Sequence, residues 1–113
     1  MAAKKNPLKL NKLQLRTLAL SQVLANEPNL SVRNEESGAV TIRHLPHAHG
    51  DHVHVGPFVV SAKDASGFSN PAVWVALKRK GLVIDGDFGV TLSAEGLAYD
   101  TGLGEKFIAP SDH

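Results

Sequence analysis

Five of the six histidines fall between His44 and His54, in the run HLPHAHGDHVHVG that closes at Gly56. A neutral imidazole is a common ligand of transition metals, and its charge changes near neutral pH, so this density points to metal or proton chemistry. The chain has no cysteine, so any metal would be held by nitrogen and oxygen alone. Zinc, nickel, copper and cobalt all suit such a donor set.

The element that must position these rings is a β-hairpin. With Gly50-Asp51 as a two-residue turn, glycine first as type II′ geometry favours, His49 faces His52 and His47 faces His54. Alternation along the strands then puts His47, His49, His52 and His54 on one face. The other face receives Ile42, Ala48, Val53, Val55 and Val59, as a half-buried hairpin requires. Opposed β-carbons lie about 5 Å apart and diagonal ones about 7 Å, within reach of one shared ion. Asp51 would add an oxygen ligand or accept a hydrogen bond from a ligating ring. His44 falls on the apolar face and stands outside this set. The alternatives are a solvated histidine face with only generic metal affinity, and a proton sensor whose close imidazoles repel one another once charged.

The surrounding elements are legible from their boundaries. Residues 12–26 form a helix without Gly or Pro, with Asn11 as N-cap and Pro28 beyond its end. Its leucines make no single stripe: Leu13, Leu20 and Leu24 share a face, and Leu15 and Leu18 lie far round the wheel. Such a helix is buried on two sides, as a central core helix or as a contact between two subunits. Residues 30–34 and 39–45 read as strands about the polar turn 35–38. Residues 58–66 read as a short helix ending at Gly67. Residues 69–80 read as a better one, capped by Ser69 or Asn70, with Pro71 in the first turn, Lys78, Arg79 and Lys80 in the last, and Gly81 as the stop. Strands at 82–84 and 89–92 flank a turn at 85–87, a final helix starts at Ser93, and Gly102-Leu-Gly104 reads as a helix stop. Residues 1–6 and 110–113 read as loose ends.

A chain of 113 residues with 42% hydrophobic side chains has room for one core, so residues 1–113 are expected to form a single domain. Twelve basic and eleven acidic residues leave a net charge of +1, so any basic patch must be local. No signal-peptide pattern and no membrane-length apolar run is present, so a soluble cytoplasmic protein is expected. The common Ser, His and Asp combinations do not single out a triad, and no catalytic residue is assigned.

The segment Ala65-Ser-Gly-Phe-Ser-Asn-Pro-Ala-Val, then Leu77-Lys-Arg-Lys-Gly-Leu-Val83, then Val90-Thr-Leu-Ser-Ala-Glu-Gly96, resembles a bacterial winged helix-turn-helix domain. Those domains run from a short helix and glycine turn through a recognition helix and a Gly-Leu-Val strand to a wing and a closing Leu-Thr segment. The resemblance covers 57–99 and implies a DNA-binding module, often a dimer, with helix 69–80 in the major groove. Asn70, Lys78, Arg79 and Lys80 are the candidate contacts. Trp74 and Val75 stand where the family exposes polar or basic side chains, and the wing is acidic, which opposes phosphate binding.

A second, local resemblance is that of Val40-Thr-Ile-Arg-His-Leu-Pro-His-Ala-His-Gly-Asp-His52 to the metal-binding loop of metallo-β-lactamase hydrolases. It implies one zinc on His47 and His49 and another on Asp51 and His52. That fold is considerably longer than this chain and takes further histidines downstream, where only His54 and His113 remain.

The expected architecture is therefore α+β: a small winged helix-turn-helix-like domain with its core at 57–99 and an inserted His-rich β-hairpin at 39–56. The expected function is a non-enzymatic regulatory or DNA-binding protein that responds to a divalent transition metal through the hairpin. Double-stranded DNA is its expected partner, and a homodimer would form through helix 12–26 or Trp74. The alternative is a metal-binding or protein-interaction module that does not bind DNA.

Overall fold

The computed structural model describes residues 8–46, 50–56, 58–84 and 89–101, with the backbone of 109–110. Helix α1 spans Lys12–Ala25, and its start is fixed by a reciprocal capping box. The Gln14 backbone N–H donates to Asn11 Oδ1 at 2.8 Å, and the Asn11 N–H donates to Gln14 Oε1 at 3.0 Å. Strands β1 (Ser31–Arg33) and β2 (Val40–Ile42) follow as an antiparallel pair. Their turn closes where the Asn34 N–H donates to the Ala39 carbonyl and Gly38 takes φ +76°.

Next come β3 (His52–Val55) and β4 (Phe58–Ser61), then a single 3-10 turn at Ser66–Ser69. Helix α2 spans Pro71–Arg79, β5 Val83–Ile84, β6 Val90–Leu92, α3 Ala94–Ala98 and β7 Ala109–Pro110. Asn70 caps α2 by accepting from the Ala72 N–H at 3.0 Å, and Ser93 caps α3 by accepting from the Gly96 N–H. The architecture is α+β, with a four-stranded antiparallel sheet in the order β1-β2-β6-β5 and a three-stranded one in the order β3-β4-β7. Among the described residues, no helix is long and apolar enough to cross a membrane.

α1 lies at the centre. It packs against the 3-10 turn, α2, α3 and strands of both sheets, and Leu18, Leu20 and Leu24 are fully buried. Each such leucine contributes about 2 kcal/mol by leaving water. Both apolar sides of this helix thus carry leucines buried within one chain, as a central core helix requires, while Leu13 and Leu15 are half-buried. The buried Thr17 and Ser21 hydroxyls donate to the Leu13 and Thr17 carbonyls one turn back, which satisfies them without a partner from outside the helix.

Three sequence expectations require correction. Residues 58–66 do not form a helix: Phe58–Ser61 is strand β4, and only the 3-10 turn at Ser66–Ser69 is helical before α2. The run Phe-Val-Val-Ser is apolar and β-branched, and pairing with β3 decides its conformation. Within 39–56 the described strands β2 and β3 do not pair with each other, and the expected pairings at His47 and His49 lie outside the described residues. β2 pairs with β1 and β6, whereas β3 pairs with β4, so the two expected arms belong to different sheets. Pro110, read as part of a loose end, pairs with Phe58 in β7. The expected wing tip at 85–87 and the stop at 102–104 lie outside the described residues, and α3 already ends at Ala98.

Candidate functional site

β3 presents the histidines through the alternation of a strand whose inner face is anchored. Val53 and Val55 are buried in the main core, so His52 and His54 are turned to the opposite face, where both are half-buried. Their ring centroids stand 5.0 Å apart with the planes nearly perpendicular, at 81°. Across the ladder His52 faces Ser61 and His54 faces Val59. The Asp51 carboxylate is exposed, and its Oδ1 lies 3.4 Å from His52 Nδ1, a long contact.

His47 and His49 lie outside the described residues, and with them the expected pairings His47 with His54 and His49 with His52. His44 is exposed in the loop after β2. Among the described residues, no group of three or more His, Asp or Glu side chains gathers where it would hold a metal ion. The structure therefore brings together His52 and His54, with Asp51 beside the first.

The α2 surface is the second region singled out by sequence. Lys78, Arg79 and Lys80 are all exposed at its C-terminal end, where cations also complement the helix dipole. From Ala65 to Ile84 the chain contains these three cations and no carboxylate. Asp64, just before this stretch, stands 3.5 Å from Arg16 of α1. Asn70 has its side-chain oxygen committed to the helix cap. Val75 points outward and is 49% exposed, and Ala72 is exposed on the same helix.

Trp74 is turned inward. Its ring lies within 11° of parallel to that of Phe68, and its Nε1–H donates to the Phe68 carbonyl at 3.0 Å. Sequence reasoning singled out Trp74 but missed Phe68, its support. The available signal was a second aromatic six residues upstream, across the cap of the helix.

The buried hydroxyls of Thr17, Ser21, Thr91 and Ser93 are bonded to backbone groups or to another hydroxyl, not to a base. Thr17 and Ser21 back-bond within α1, Ser93 donates to the Gly81 carbonyl, and Thr91 pairs with Thr41 at 2.8 Å. A cleft of about 450 Å³ opens between β3 and the 3-10 turn, floored by Leu45, Val53, Ala65 and Phe68 and edged by Ser66 and Ser69. None of its described lining residues has a titratable side chain. No protein-family model, curated protein or solved structure matches the chain.

Proposed function

We propose that this chain is a non-enzymatic winged-helix domain that contacts duplex DNA through α2. One observation carries the reading: α2 runs through Gly81 directly into the antiparallel pair β5 and β6, which leads on into α3. That is the order of recognition helix, strand, wing and closing segment that the sequence resembles. The carboxylate-free stretch with Lys78, Arg79 and Lys80 exposed supplies positive charge beside the helix. In this reading β3 and β4 are an insertion between β2 and the 3-10 turn, and that turn replaces the helix which normally precedes the recognition helix.

Ala72 and Val75 offer only methyl groups to a groove, and these distinguish little beyond a thymine methyl. Binding is therefore dominated by phosphates and discriminates weakly among sequences. The test is fluorescence anisotropy of a labelled duplex, titrated with the full chain over a series of salt concentrations. Lys78→Ala/Arg79→Ala/Lys80→Ala should weaken binding and flatten the dependence of log K on log salt by about 2.7, if each cation meets one phosphate. No retention of DNA at low salt, or a variant that binds as well as the parent, overturns the reading. The exposure of Val75 favours protein docking on α2 as the second reading, and loss of all DNA binding would leave that one standing.

A further inference from the structure

We propose that His52 and His54 form a two-imidazole site for a divalent transition ion of the nickel, copper and zinc kind. The inference is independent of DNA binding and rests on three features of β3.

The first is spacing. A ligating nitrogen lies about 2.1 Å from such an ion and the centre of its ring about 1.1 Å further out, so two rings at the tetrahedral angle have centroids about 5.2 Å apart. The His52 and His54 centroids are 5.0 Å apart. Bringing one nitrogen of each ring towards a common point turns on the ring torsions, which are broad and soft.

The second is rigidity. Val53 and Val55 between and beyond the two histidines are buried, and β3 is bonded to β4 along its whole length, so both imidazoles project from a fixed backbone. A pair held in place by a strand loses less freedom on binding than one on a loop.

The third is chemistry. Imidazole is a borderline donor that suits nickel, copper and zinc and not magnesium or calcium. The Asp51 carboxylate, with Oδ1 3.4 Å from His52 Nδ1, sets a negative charge beside the pair, which favours a cation. Two protein ligands leave the remaining positions to water or exogenous donors, so the ion stays open to exchange.

The experiment is calorimetric titration of Ni²⁺, Zn²⁺ and Mg²⁺ into the untagged full chain at about pH 7.5 and about pH 5.5, alongside nuclear magnetic resonance of the histidine rings. Ni²⁺ and Zn²⁺ should bind with one ion per chain, Mg²⁺ should not, and binding should weaken at the lower pH because protons compete for the same nitrogens. His52→Ala or His54→Ala should each reduce affinity about tenfold or more, as loss of one of two chelating ligands does, with His44→Ala unchanged. Substoichiometric paramagnetic Ni²⁺ should broaden the His52 and His54 ring signals before others in the unmodified protein. Unchanged affinity in His52→Ala/His54→Ala, an equal response to Mg²⁺, or broadening centred on other histidines overturns the proposal.

Discussion

The indole N–H of Trp74 is bonded to the backbone carbonyl of Phe68, and the two rings lie nearly parallel with centroids 6.3 Å apart. This contact ties the first half of α2 to the 3-10 turn that precedes it. Trp74→Phe keeps most of the contact and removes the donor, so it should cost about 1 kcal/mol in urea unfolding. Trp74→Ala also removes the ring from a partly buried site and should cost about 2 kcal/mol or more. As the sole tryptophan, Trp74 reports its own environment: iodide quenching should be partial in the folded chain and increase on unfolding.

Gly67 lies against Thr17 of α1 so closely that a β-carbon there would collide with the Thr17 side-chain oxygen. Both residues are buried, and the backbone of the 3-10 turn rests directly on the helix. Gly67→Ala should therefore destabilise the chain by about 2 kcal/mol through overpacking. Thr17→Ala removes the oxygen, so the double variant should be less destabilised than the sum of the two single ones. Additive costs in chemical denaturation would mean that the two positions do not meet.

Gln22 of α1 donates through Nε2 to two carbonyls, those of Gly96 at 2.8 Å and Tyr99 at 2.9 Å, and so docks α3. Gln22→Glu preserves the shape but sets a carboxylate against two acceptors. It should cost about 2 kcal/mol near neutral pH. Facing carbonyls favours the protonated acid, which raises the folded-state pKa of the introduced group, so the penalty should shrink as pH falls and the acid regains a proton to donate. Denaturation midpoints of parent and variant, compared across the carboxylate range, read this directly.

The parts of the fold that sequence made legible are those fixed by local chemistry. Asn11 caps α1 as expected, Asn70 is the cap of α2 out of the two candidates Ser69 and Asn70, α3 begins after Ser93, and the glycine turn between β1 and β2 closes as its composition predicts. The inward facing of Val53 and Val55 and the outward facing of His52 and His54 were also readable, because alternation needs only the strand itself. The partner of that strand was not. Phe58-Val-Val-Ser is too short for periodicity to separate strand from helix, and its conformation is set by the edge that β3 offers it. Two glycines flank β3 with positive φ, Gly50 at +70° and Gly56 at +57°, so both ends of the strand carried a turn signal. Through the second of them β3 pairs with β4.

Val53, Val55 and Val60 from the smaller sheet belong to the same buried cluster as Leu18, Leu20 and Leu24 of α1. The histidine-bearing strand is therefore not an appendage that an engineer could trim to leave a minimal domain. Excising β3 and β4 would uncover one flank of the central helix and turn its leucines towards water, inviting aggregation instead of yielding a smaller working protein. The two imidazoles are carried by a wall of the core itself. Side-chain chemistry can change at positions 52 and 54, while the valines between and beyond them must stay.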